Sequence, residues 1–376
     1  MVSPEFLARV EQLPLVWSNE PGSFARLGFT HRYPALVRDC VELNGARFSS
    51  KQRERLLQLA QELEHDAEFP LPSTLNVEPG ATTAEWEKML TGKGYRWHNA
   101  PWFLAGMYMF HHILLIADYY TTGVDPFHAS KVTELEQEPP WRLLQAAVGL
   151  SAQEEAASVS RRDQLKQFMK RSRWGNKADE CYKEVKDTVS GDDASLVFDD
   201  KLLLVDHSAK TISYLEKKAT ELGNAKTVGV AYINDNSDTA GFGARRSPVD
   251  SRVMRQGDNE REDGAHSKMR AREVQALGTR LAGYVQTEQL VVRPDIFWNR
   301  YKFYWEMPTE LQSRLADEAT LVIIKGDLNY RRLLGDRLWA PSTPINEVVP
   351  YFPAAYVSFR TMKSTLVAGV PDRSEA

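Results

Sequence analysis

Apolar positions recur at helical spacing through the first half of the chain and gather into short continuous runs through the second. Leu36, Val37, Cys40, Val41 and Leu43 follow Tyr33-Pro34 at i, i+3, i+4 intervals, which predicts a helix opening at Tyr33. Residues 52–65 repeat the pattern, with Leu56, Leu57, Leu59, Ala60 and Leu63 on one side and charges opposite. A polar, Pro-bearing link at 73–79 precedes a short predicted helix at 85–90. Residues 97–120 are apolar nearly all round, and Pro101 suits a first helical turn, so this segment is expected to be the central buried helix of its half. Residues 146–155 and 161–170 predict further helices, and Trp174-Gly175 reads as a glycine stop.

The pattern changes after a polar link, Val189-Ser190-Gly191-Asp192-Asp193. Residues 201–205 and 227–233 are continuous apolar runs that predict buried strands, with a helix at 211–222 between them and Ser208 as its N-cap. A third run, Leu321 to Ile324, reads as a strand buried on both faces. Lys325-Gly326-Asp327 breaks it, and Leu328, Leu333 and Leu334 continue at helical spacing. The predicted fold class is therefore α/β with a mostly parallel sheet, in two units: a helical one over 1–190 and an α/β one over 195–376. Residues 237–272 are rich in Arg, Ser, Gly, Asp and Glu with almost no apolar period, and read as an irregular polar stretch. The aromatic clusters Phe297-Trp298 and Tyr301-Phe303-Tyr304-Trp305 are expected to pack before the third strand.

Composition narrows the function classes. A net charge of −4 argues against general affinity for nucleic acid or acidic membranes. No run approaches the roughly 18 apolar residues of a membrane span, and the first residues lack the basic start and apolar run of a signal peptide. Cys40 and Cys181 cannot build a disulfide framework, and both read as buried or reduced thiols of a cytoplasmic protein. His111 and His112 are adjacent, so on a regular helix they diverge by about 100° and cannot share one ion; they read as core or boundary histidines.

Candidate chemistry lies where strands end in polar clusters, because open α/β sheets bind ligands at the carboxyl edge. The 227–233 strand closes in Asp235-Asn236, and the third strand in Lys325-Gly326-Asp327. Asp327 has a bland alternative as the cap of the following helix. Asp235-Asn236-Ser237, the run Lys325-Gly326-Asp327-Leu328-Asn329-Tyr330-Arg331 and the run Arg360-Thr361-Met362-Lys363 occur in that order. Together they resemble the damage-control phosphatase family, in its sugar-phosphate branch, also described as acidic-residue (protein-glutamate) methyltransferases.

The resemblance implies a helical amino-terminal domain on a Rossmann-like α/β domain. It further implies a divalent metal (Mn, Co, Ni or Mg) at the sheet edge and a small phosphorylated sugar as substrate. Asp235 and Asn236 become metal ligands, and Asp327, Asn329, Tyr330, Arg331 and Lys363 contact substrate. Asp235, Asn236 and Asp327 would carry catalysis. Hard oxygens suit such ions, and Arg331 and Lys363 suit phosphate through a planar fork and a point charge. Arg360 has an alternative as partner of a core carboxylate, while Arg332 and Arg337 read as surface charges.

The chain departs from the family after Asn236. The family's following helix and strand have no counterpart, and Asp250 is the nearest candidate for its third metal-binding aspartate. Lost activity, a compensating loop and a misread exon each explain the departure. Two other functions stay open: S-adenosylmethionine-dependent methylation of protein carboxylates, and a non-catalytic relative that binds a metabolite or partner. No Gly-rich nucleotide turn follows the 227–233 strand, which weighs against methylation.

Overall fold

Ser3 begins the first helix by accepting a hydrogen bond from the Phe6 amide at 3.2 Å, with Pro4 in the first turn where its missing N–H costs nothing. The computed structural model describes residues 2–75, 81–129, 229–231, 276, 278–293, 295–360 and 363–370. Its amino-terminal part consists of α1 (Pro4–Gln12), α2 (Phe24–Leu27), α3 (Tyr33–Asn44), α4 (Ser50–Glu64), α5 (Ala81–Leu90), α6 (Trp102–Ile116) and α7 (Tyr119–Thr122). Ser49 and Gln52 form a reciprocal capping box at the start of α4. α6 is the central buried helix expected of this half, but it starts later than the apolar run does. Arg96 and Asn99 instead close a tight turn, and Pro101 stands just ahead of the first helical residue.

His111 and His112, on α6, are both buried. The His111 Nδ1 lies 2.9 Å from the Tyr120 hydroxyl, and the His112 Nε2 lies 3.2 Å from the Arg55 guanidinium. Burial lowers the pKa of His111 to about 4 and drives that of His112 well below its usual value, so both are neutral core residues.

The carboxyl-terminal part contains strands and helices in alternation. β1 (Gly229–Ala231) pairs in parallel with β2 (Leu290–Val292). After α8 (Thr309–Glu318) comes β3 (Val322–Lys325), then α9 (Asp327–Leu334), α10 (Ile345–Val348) and β4 (Tyr356–Phe359). β3 and β4 are parallel, in register from Val322 opposite Tyr356 to Lys325 opposite Phe359. Parallel strands need a crossover, which α9 and α10 supply. This is mixed helix with small parallel sheets, as an α/β class requires.

Several expectations need correction. The third strand is not buried on both faces: Ile324 is 6% exposed but Ile323 is 63% exposed, the alternation of a strand with one covered face. Arg332 is not a surface charge, being 1% exposed and donating to the carbonyls of Lys302, Trp298 and Phe297 at 2.7–3.0 Å. Arg337 is half-buried and donates to the Leu13 carbonyl at 2.8 Å. The predicted strand at 201–205, the helices at 146–155, 161–170 and 211–222, and the boundary near 190 lie outside the described residues. Among the described residues, no helix is long and apolar enough to cross a membrane.

One apolar core joins the two parts, running from Phe6 through α3, α4 and α6 to Phe297, Leu311, Leu333, Trp339 and Leu366. The segment after α1 is threaded between them. Val16 donates to the Asp336 carbonyl, Leu338 donates to Pro14, and Trp102 donates to Val16, all at 2.9–3.1 Å. The turn after α9 is thereby tied to the start of α6.

Candidate functional site at the carboxyl edge of β3 and β4

Gly326 sets the geometry of this edge. Its φ of +105° and ψ of 150° lie in a region that side chains with a Cβ avoid. That conformation lets its N–H extend the ladder to the Phe359 carbonyl at 2.8 Å while its own carbonyl accepts from Tyr330 at 3.1 Å and opens α9. Asp327 is thus the first residue of α9, directly beyond the strand.

The Asp327 carboxylate does not cap its own helix. It reaches across to the segment after β4, accepting from the Lys363 backbone N–H at 3.3 Å and the Ser364 hydroxyl at 3.2 Å, with the Arg360 Nη1 at 3.3 Å. Arg360 also donates to the Leu366 carbonyl at 2.6 Å and stacks 4.0 Å above the Tyr330 ring. The Tyr330 hydroxyl in turn accepts from the Ala368 N–H at 3.1 Å. Both charged side chains of the pair are less than a tenth exposed. Burial raises the pKa of Asp327, with Arg360 and Arg331 opposing, and burial lowers that of Arg360.

Asn329, one turn into α9, is held twice. Its Oδ1 accepts from the Tyr304 hydroxyl at 2.8 Å, and its Nδ2 donates to the Lys325 carbonyl at 2.8 Å. Arg331 faces inward. Its Nε and Nη2 bind the two oxygens of Asp336 at 2.7 and 2.9 Å, and its guanidinium lies 3.4 Å from the Trp102 ring centre. Asp336 also accepts from the Phe103 N–H at 3.0 Å, at the start of α6. Burial opposes the charge on Arg331, but Asp336 outweighs it and raises the Arg331 pKa. The forked face suited to phosphate is therefore closed on a protein carboxylate.

Asp327, Asn329 and Tyr330 on α9 and the Lys363 backbone after β4 share this edge, whereas the Arg331 side chain turns inward to Asp336. Asp235, Asn236 and Asp250 lie outside the described residues, and β1 ends at Ala231, ahead of the Asp235-Asn236 pair. Sequence reasoning missed Asp336, Ser364 and Tyr304. Ser364 directly follows the Arg360–Lys363 run, a proximity that offered a signal. Tyr304 was read only as part of an aromatic cluster, and Asp336 belongs to no motif.

A model of the damage-control phosphatase ARMT1-like domain matches residues 29–240 and 256–376. The chain belongs to this damage-control phosphatase family. Both diagnostic runs, 325–331 and 360–363, fall within the second matched segment. Relatives named damage-control phosphatase ARMT1 show the same likeness. The rat protein is 23% identical over 429 aligned residues, covering 99% of this chain and 94% of its own length. The human protein is 36% identical over 90 residues (23% of this chain, 20% of its own), and that of Xenopus laevis 40% over 78 (18% of each). The alignment to the rat damage-control phosphatase is longer than this chain, so that relative carries residues with no counterpart here. The family model also passes over 241–255, the stretch that contains Asp250.

Proposed function

We propose that this chain is a metal-dependent phosphoric monoester hydrolase acting on small sugar phosphates, fructose phosphates among them, in the cytoplasm. What carries the reading is the cluster of Asp327, Asn329, Arg360 and Lys363 at the carboxyl edge of two parallel strands, in a member of a phosphatase family.

The donor chemistry tests the fit of the implied ion. Among the described residues no three His, Cys, Asp or Glu side chains group to hold a metal, and Asp327 is already bonded to Arg360, Ser364 and Lys363. Asp235 and Asn236, which follow β1 in sequence, supply hard oxygen donors and would hold Mn, Co, Ni or Mg. Such an ion supplies a Lewis acid and lowers the pKa of water. The protein's own residues do the rest. Lys363 attracts the phosphate, Asn329 bonds a substrate oxygen, and Tyr330 and Arg360 brace this edge by stacking. Asp327 holds Arg360 and the Lys363 backbone in place. Arg331, locked by Asp336, braces α9 against the start of α6.

The test is phosphate release from fructose 1-phosphate and fructose 6-phosphate by the full chain, with each metal in turn and with chelator. Metal-stimulated release is expected, and Asp235→Ala should lower it by one to a few orders of magnitude. Absence of metal-stimulated release from any hexose phosphate overturns the reading. Saturable binding of S-adenosylmethionine instead would favour carboxylate methylation.

A further inference from the structure

The amide of Asn329 has one orientation that satisfies both of its neighbours. The Lys325 carbonyl can only accept, so the atom 2.8 Å from it must be the Nδ2. The Oδ1 therefore faces the Tyr304 hydroxyl, which must donate. The amide cannot flip without setting a carbonyl against a carbonyl. After these two bonds Asn329 retains one N–H and one lone pair, and its side chain is only half-buried beside Asp327 and the β3 edge.

Tyr304 is well placed to hold that orientation. It is 3% exposed, wedged against Phe297, Trp298 and Phe352 with ring centroids 5.7–6.1 Å apart, and the Arg332 guanidinium lies 4.8 Å from its ring. Burial raises the pKa of its hydroxyl to about 12, so it remains a protonated donor at any working pH. Its packing does not depend on the hydroxyl. Among the described residues the hydroxyl bonds Asn329.

We propose that Tyr304 is a positioning residue for substrate recognition: its hydroxyl, donating to the Asn329 Oδ1, pins the amide whose orientation the Lys325 carbonyl sets, so that the remaining N–H meets an oxygen of the phosphorylated sugar. This rests on the function proposed above. It predicts that the substrate atom at this point is a hydrogen-bond acceptor, a phosphate or hydroxyl oxygen. Tyr304 itself touches no substrate.

The experiment compares the full-length wild type with Tyr304→Phe, Asn329→Ala, Asn329→Asp and the Tyr304→Phe/Asn329→Ala double variant. Calorimetric binding of fructose 6-phosphate and steady-state phosphate release are measured on each. Losing one neutral hydrogen bond corresponds to about a fivefold loss. Tyr304→Phe should therefore raise KM and Kd about fivefold with kcat within twofold, and the double variant should be no worse than Asn329→Ala alone. Asn329→Asp, which offers acceptors only, should bind at least as weakly as Asn329→Ala. Effects that multiply in the double variant, an unchanged Kd in Tyr304→Phe, or wild-type binding by Asn329→Asp would overturn the proposal. Should Tyr304→Phe fail to fold, the Asn329→Asp arm decides. A wild type that binds the sugar phosphate but never hydrolyses it sinks the proposed reaction while the binding arms still judge Tyr304; one that does neither sinks both.

Discussion

Replacing Asp336 by Asn should cost this protein a large part of its stability, although the substitution changes almost no volume. Asp336 is fully buried and accepts from Arg331 Nε at 2.7 Å, Arg331 Nη2 at 2.9 Å and the Phe103 N–H at 3.0 Å. The Arg331 side chain is 6% exposed, so no water replaces the lost carboxylate. An Asn there keeps one acceptor but turns an NH₂ toward a guanidinium N–H and leaves a positive charge uncompensated. Removing one partner of a buried pair costs about 3–5 kcal/mol, against a total margin of about 5–15 kcal/mol for a typical fold. Asp327 attracts the same guanidinium more weakly and offsets a minor part of that loss. Urea unfolding followed by circular dichroism would show the midpoint falling with its slope unchanged. The paired replacement Arg331→Met with Asp336→Leu should be less destabilised than Asp336→Asn alone, because it removes both charges together. An Asp336→Asn protein within about 1 kcal/mol of wild type, with the paired replacement no better, would refute the reasoning.

Three further outcomes follow from the same geometry. Arg332→Lys should cost about 2–4 kcal/mol in chemical unfolding, since a compact ammonium cannot reach the carbonyls of Phe297, Trp298 and Lys302 together; a loss below about 0.5 kcal/mol would contradict it. Gly335→Ala should lower stability by more than about 2 kcal/mol, because Gly335 ends α9 at a φ of +68° and a new Cβ would overlap the Trp305 ring; a wild-type melting temperature would count against this. Burial holds the Asp327 carboxyl above its ordinary value of 3.8, so its contribution to stability is full below the unfolded value and is lost as pH rises through the raised one. Wild type measured against Asp327→Asn should therefore lose relative stability as pH is raised from 3.8 upward, and parallel pH profiles would exclude it.

Local rules made α9 legible. A β-rich run stopped by a glycine predicts a strand edge, and Gly326 does occupy a backbone region closed to other residues. The helices α3, α4 and α6 were readable because their apolar positions keep a helical period. Arg331 was harder to place because its partner comes from outside the periodic pattern. Asp336 follows Gly335, with a φ of +53°, and only that reversal turns its carboxylate back under the helix. Arg332 resembles any exposed helix charge until the carbonyls of a turn some 30 residues upstream close around it. β4 is four residues long with a serine inside it, too short for a period to emerge, and its existence is decided by pairing with β3.

The ties between residues 13–16 and the turn after α9 bear on how the chain comes to be folded. Arg337 reaches the Leu13 carbonyl across 324 positions of chain, so Leu13 waits for a partner made much later. At roughly 10 residues per second, about half a minute of translation separates the two. Throughout that interval the Val16 N–H lacks the Asp336 carbonyl and the Phe103 N–H at the start of α6 lacks the Asp336 carboxylate. Contacts of such span slow folding, and the newborn helical half is the portion most in need of shelter before release.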